Sequence, residues 1–162
     1  MRRLRQAMIS FVLLALAAGA GSAADPSETT QPSPRLSPGD VVRLQLEALR
    51  HNDDPSTDSG IAVAFALASP QNQAQTGPLA RFIRMVHENY PELLNHRGAR
   101  LSAAKIHGDE AWQPVELTDS DGRRLRYLFI LRRQVAPPCA GCWMTDGVIP
   151  AEARQKAPGI TV

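Results

Sequence analysis

Apolar positions recur with a helical period in the first half of the chain and with a strand period in the second. Val42, Leu46 and Leu49 stand at i, i+4 and i+7, with Val41 and Leu44 widening the stripe. Ahead of them, Ser37-Pro38-Gly39-Asp40 combines an N-cap serine, a proline at the first helical position and an acid three residues after the cap. That pattern opens a helix, which runs to about Asn52. After the polar turn Asp53 to Ser59, the residues Ile61, Ala64, Phe65 and Ala68 repeat at i, i+3, i+4 and i+7 and predict a shorter helix ended by Ser69-Pro70. Gln71 to Gln75 is a polar connection with room for one more turn. Thr76-Gly77-Pro78 opens a third helix with Leu79, Phe82, Ile83 and Val86 in its stripe. Pro91 stops it, leaving Leu93 and Leu94 to plug the core.

Beyond His96 the period shifts to two. Arg100 to Ile106, Ala111 to Thr118, Arg124 to Arg133 and Cys142 to Ile149 read as strands. Gly108-Asp109 falls in the first turn, and Asp121-Gly122 is a two-residue hairpin signal in the second. Leu125, Tyr127, Phe129 and Leu131 share one face of their strand while Leu128 and Ile130 weight the other, which predicts a central position. Pro114 inside the preceding strand predicts an edge or a bulge there. Helices first and an antiparallel meander second define an α+β domain, with N-terminal helices packed on a curved antiparallel sheet of about four strands.

The N-terminus changes the picture. Arg2, Arg3 and Arg5 precede an apolar stretch from Ala7 to Ala20, and the small residues Gly21-Ser22-Ala23-Ala24 follow before Asp25-Pro26. This is the order of a cleavable secretory signal over residues 1–24, with the cut after Ala23 or Ala24. The apolar run is shorter than the ~20 residues of a membrane span, so no stable span is expected once the signal is cut. The expected organisation is therefore signal 1–24, flexible Pro/Ser/Thr-rich linker 25–36, α+β domain 37–150 and C-terminal tail 151–162, with a periplasmic or secreted destination. The 162-residue chain carries 18 Lys and Arg against 16 Asp and Glu. The leader holds three of those arginines and no acid, so the 138 residues after it are one charge negative. Such a domain carries no electrostatic footprint for nucleic acid.

Further motifs narrow the relationship. Gln45-Leu46-Glu47-Ala48-Leu49, Asn52-Asp53, Ala68-Ser69-Pro70, Thr76-Gly77-Pro78-Leu79, Arg81-Phe82, Leu93-Leu94 and Cys142-Trp143-Met144-Thr145-Asp146-Gly147-Val148 together resemble the domain of unknown function 4864 family, over about Leu36 to Val148. The element order is also similar to the nuclear transport factor 2-like (cystatin-like) fold. That resemblance implies a curved sheet wrapped around helices as a cone with an open pocket, in a superfamily that holds isomerases, dehydratases and pure binding domains. Fold likeness does not choose among them.

Candidate chemistry is sparse. Cys139-Ala140-Gly141-Cys142 has thiol–disulfide spacing, but Trp143-Met144-Thr145 reads as strand where a redox motif needs a helix to activate its first cysteine. A local disulfide between Cys139 and Cys142, and two unpaired thiols, stay open beside redox catalysis. One cysteine pair supplies two zinc ligands and no partner pair exists, so no metal is expected. Asp53, Asp54, Ser56, Asp58 and Gly60 miss the calcium-loop spacing. His51, His87, His96 and His107 show no ligand spacing. There is no Gly-x-Ser-x-Gly elbow, Walker loop or dinucleotide fingerprint, and no cofactor is expected.

In a cone, Arg81, Tyr90, His96, Trp143 and Asp146 would approach one another at the pocket mouth. They form the candidate pocket set. The expected function is a non-enzymatic domain binding a small apolar or amphipathic ligand, or a partner, in the sheet's concavity. The alternative is a small isomerase- or dehydratase-like enzyme using Asp146 with His96 or Tyr90. A third reading is a structural module that associates through a strand edge.

Overall fold

The Ser37 hydroxyl accepts the Asp40 N–H at 3.2 Å, and the Asp40 carboxylate accepts the Ser37 N–H at 3.0 Å. This reciprocal box starts helix α1 (Pro38–Arg50), with Pro38 at the position where a missing N–H costs nothing. The computed structural model describes residues 31–151. The expected signal peptide, the linker up to residue 30 and the tail from residue 152 lie outside the described residues. Leu36, at the end of the expected linker, packs against the core.

Helix α2 (Ser59–Ala66) is started by its neighbour. Its N-cap residue, Asp58, is in the left-handed region at φ 62° and its side chain does not cap. Asn52, buried at the end of α1, supplies the missing acceptors: its Oδ1 takes the Ile61 N–H at 3.1 Å and its carbonyl takes the Gly60 N–H at 2.9 Å. Gly60 lets the helices close on each other, since a Cβ there would sit 2.1 Å from the Ala48 carbonyl oxygen.

The polar stretch expected as a connection is a helix of its own, α3 (Pro70–Thr76). It has no buried residue and no apolar stripe, so periodicity could not show it. Hydrogen bonds hold it instead. Ser69 Oγ caps the Asn72 N–H, the Gln73 amide donates to the carbonyls of Phe65 and Ala68 at 2.8 and 3.0 Å, and the Asn72 amide donates to the Asp146 carbonyl at 2.8 Å. Helix α4 (Leu79–Asn89) follows, and Pro91–Leu93 adds a 3₁₀ turn that drives Leu93 into the core.

Among the described residues the α+β fold has five strands where about four were expected: β1 (Gly98–Leu101), β2 (Lys105–His107), β3 (Glu110–Thr118), β4 (Arg124–Arg133) and β5 (Trp143–Pro150). These strands pair antiparallel with one another, in the order β1-β3-β4-β5, with β2 also on β3. Pro114 explains the extra strand. The Ser102 N–H donates to the Pro114 carbonyl, but proline has no N–H to return, and the ladder breaks between Leu101↔Val115 and Lys105↔Trp112. Three residues then oppose two, a bulge on the side facing β1 and β2. The buried Gln113 side-chain amide donates to the Ser102 carbonyl in place of the absent N–H. The β3–β4 hairpin also departs from the two-residue expectation. Asp119 and Arg123 bond across Ser120-Asp121-Gly122, with Gly122 at φ 90°, because the Asp119 carboxylate gathers the N–H groups of Asp121 and Arg123.

The core lies between the helices and one face of β3, β4 and β5. It is built from Val41, Val42, Leu46, Leu49 and Ile61 against Val115, Leu117, Phe129 and Leu131. Along β5 the register shifts at Asp146: Ile130 faces Gly147 while Leu131 faces Thr145, leaving Asp146 as the extra residue. The segment after α2 closes the far edge of β5, where Thr145 donates its N–H to Leu67 and accepts from the N–H of Ser69. Among the described residues no helix is long and apolar enough to cross a membrane.

Gly60→Ala separates two effects. Helix propensity favours alanine by about 1 kcal/mol, whereas forcing a methyl into the α1–α2 contact costs about 1–3 kcal/mol or more. The contact is backbone and cannot swing away, so thermal denaturation is expected to show a lower Tm for Gly60→Ala. A raised Tm contradicts this packing. Asn52→Ala, which orphans the buried Ile61 N–H, is expected to lose about 1–3 kcal/mol in urea titration.

Candidate functional site

Beneath α4 the helices do not close completely onto the sheet. A cavity of ≈ 190 Å³ lies between α1–α4 and the inner face of β4 and β5. Its floor is buried and includes Gln45, Leu49, Ala64, Leu93, Phe129 and Thr145; its rim is partly exposed and includes Asn72, Thr76, Phe82, Met85, Tyr90 and Val148. The Phe65 and Phe82 rings, 5.0 Å apart, brace α2 against α4 beside it. Among the described residues that line the cavity none is charged, and Tyr90 has the one ionisable side chain.

The polar groups of the wall are wired to the protein. Gln45 is 4 % exposed; its amide nitrogen donates to the Ala64 carbonyl at 3.1 Å and its Oε1 accepts the Thr145 hydroxyl at 2.7 Å. The contact is worth more than an exposed one, because removing either partner strands a buried polar group of the other. Thr76 Oγ1 donates to the Asn72 carbonyl at 2.8 Å and lies 3.1 Å from Asn72 Oδ1. The Tyr90 hydroxyl donates to the Val148 carbonyl at 3.1 Å, pinning the end of α4 to β5.

Of the five residues expected to converge, only Tyr90 lines this cavity. Arg81 is exposed on α4. Trp143 is a core residue with the Arg133 guanidinium 4.8 Å above its ring. The Asp146 carboxylate takes the Arg132 guanidinium at 2.8 Å, and Arg132 also reaches Glu110 at 3.1 Å. Glu110 alternates with the buried Ala111 and Gln113, so this cluster lies on the outer face of the sheet. The bulge is the cause: as the extra residue, Asp146 turns its carboxylate outward and only its carbonyl toward Asn72. His96 sits behind α1, 3 % exposed, with Nε2 donating to the Leu46 carbonyl at 2.9 Å and Nδ1 unpartnered. Asp146, His96 and Tyr90 therefore do not share a substrate position, and the missed wall residues are Gln45, Asn72, Thr76 and Thr145.

The model of the domain of unknown function (DUF4864) matches residues 37–158. The chain belongs to this family. In this DUF4864 domain the cavity and every element around it fall inside the matched range. No curated protein and no solved structure matches the chain.

Cys139 and Cys142 stand at a tight turn, with Cα atoms 5.6 Å apart, inside the range a disulfide spans. Strand β5 follows directly, so no helix N-terminus faces the first sulfur. Among the described residues no group of three or more His, Cys, Asp or Glu is placed to hold a metal ion.

Two measurements follow from these placements. Intact mass of the protein purified without reductant is expected to show the loss of two hydrogens, with neither thiol alkylatable; two labelled cysteines contradict the pairing. Burial holds His96 below its ordinary 6.5, and Arg50 adds to this, against the Leu46 carbonyl and Glu47. A fold that keeps the imidazole neutral binds fewer protons than the unfolded chain, so this stability is complete above 6.5 and is lost as pH falls toward the folded value. Between about pH 7 and pH 5.5 the native protein is expected to lose stability faster than His96→Gln, measured by denaturant titration. Parallel curves contradict the assignment.

Proposed function

We propose that this chain is an exported domain of the cone type that binds one small, neutral, mainly apolar ligand in the cavity between its helices and sheet. The observation that carries the reading is the cavity wall: Leu49, Phe82, Met85, Val86, Leu93, Phe129 and Val148 supply apolar surface, and the polar groups between them are uncharged. Concave, mostly apolar space with a few placed polar groups is the usual form of a small-molecule site. An apolar cavity of ~150 Å³ holds benzene, so this one suits a single ring or a short chain. The basic, apolar, small-residue order of residues 1–24 supports export. Binding is favoured over catalysis because the outward turn of Asp146 and the burial of His96 behind α1 separate the groups an isomerase would need together.

Thermal shift with benzene, toluene and p-cresol tests the cavity. A saturable rise is expected, reaching about 2.7 kcal/mol at a hundredfold excess over Kd. Ala64→Leu, which fills the floor with apolar atoms, is expected to remove it. No shift with any probe, or an equal shift in the variant, overturns the reading. Export is tested separately: protein recovered from the envelope or medium of a bacterial host is expected to begin at Ala24 or Asp25, whereas a retained Met1 contradicts it.

A further inference from the structure

The hydrogen bonds of the cavity wall carry a rule about what the ligand must offer. Three hydroxyls line the cavity, on Thr76, Tyr90 and Thr145. Each has one proton to give and two lone pairs to receive with. The Tyr90 oxygen faces the Val148 carbonyl and the Thr76 oxygen faces the Asn72 carbonyl, and a carbonyl can only accept. Thr145 follows by elimination: the Ala64 carbonyl fixes the nitrogen end of Gln45, so Oε1 faces Thr145 and the threonine must donate. All three protons are spent on the protein. Toward a ligand these oxygens can only accept.

The carboxamides complement this. Gln45 and Asn72 each spend one N–H on a carbonyl and keep a second. A wall of accepting hydroxyl oxygens with spare amide N–H groups nearby matches a group that donates one proton and accepts one, which is a hydroxyl. A carboxylate has no proton to give and finds no cation, because none of the described residues lining the cavity is charged. Space for about one ring sets the remainder of the molecule.

We infer that the ligand class is a neutral hydroxylated ring, a phenol or small cyclic alcohol, whose hydroxyl donates to the proton-spent oxygen of Tyr90 or Thr76 at the cavity rim. This inference rests on the cavity being a ligand site and deepens that reading. It also runs against simple partitioning, since burying a hydroxyl without a partner is unfavourable and a featureless apolar cavity would prefer the hydrocarbon.

Calorimetric titration of the purified protein with p-cresol, toluene and 4-methylbenzoate separates the two claims. The three probes share a methyl-substituted ring and differ in the polar group. We expect p-cresol to bind at least tenfold more tightly than toluene, and 4-methylbenzoate not to bind. Toluene equal to or tighter than p-cresol, with Ala64→Leu removing both, overturns the hydroxyl rule and leaves the cavity reading standing. Failure of all three probes overturns both. Tyr90→Phe and Thr76→Val each remove one acceptor, and at least one is expected to weaken p-cresol about tenfold more than it weakens toluene. If both variants keep the full preference for p-cresol, or weaken the two probes alike, the assignment of these oxygens as the selecting groups is overturned.

Discussion

Gln45 is the constraint on which the site depends. A glutamine in the stripe of an amphipathic helix is costly to bury unless both ends of its amide are satisfied. Here one end closes the Ala64 carbonyl at the C-terminal end of α2 and the other takes the hydroxyl of Thr145 on β5. Two helices and a strand are thereby held at a separation that apolar side chains would otherwise be free to close. The Tyr90 link to Val148 and the Asn72 link to Asp146 act likewise on the other side, tying α4 and α3 to the same strand. The cavity is bounded by polar struts with apolar panels between them, an arrangement that keeps it from collapsing while leaving its interior uncharged.

Strand β5 receives all three struts, and its bulge makes that possible. Without the extra residue, alternation would put Thr145 and Val148 on opposite faces. With Asp146 inserted, both reach the inner side, the carbonyl of Asp146 turns to α3, and its carboxylate leaves for Arg132 and Glu110 on the outer face. The same residue therefore removes a carboxylate from the cavity and supplies a backbone acceptor for the helix that forms its rim.

Much of the frame was legible in the sequence. The capping box at Ser37 and the stripe of Val42, Leu46 and Leu49 located α1, and the alternation of Leu125, Tyr127, Phe129 and Leu131 placed β4 centrally with its inner face buried. Helix α3 was not legible, because Gln71 to Gln75 has no apolar period and is folded by carbonyls contributed from α2 and β5. The split of β1 and β2 was half legible: Pro114 announced an edge or a bulge, but not that the Gln113 side chain would stand in for the missing N–H. The site was the least legible part. Searching for titratable groups found Tyr90 and drew in Asp146 and His96, which a one-residue bulge and the burial behind α1 remove. Gln45, Asn72, Thr76 and Thr145 carry no charge and no motif, so only their three-dimensional partners reveal them.

The central claim is that the space between the helices and the sheet is a ligand site. Methyl-resolved NMR on methionine tests it most directly, because Met85 lines the cavity and Met144, buried on β5 opposite Arg132 and outside the cavity lining, serves as an internal control. On titration with p-cresol the Met85 methyl resonance is predicted to shift saturably while that of Met144 stays in place. A Met85 resonance that does not move, or two resonances that drift together without saturation, would contradict the account.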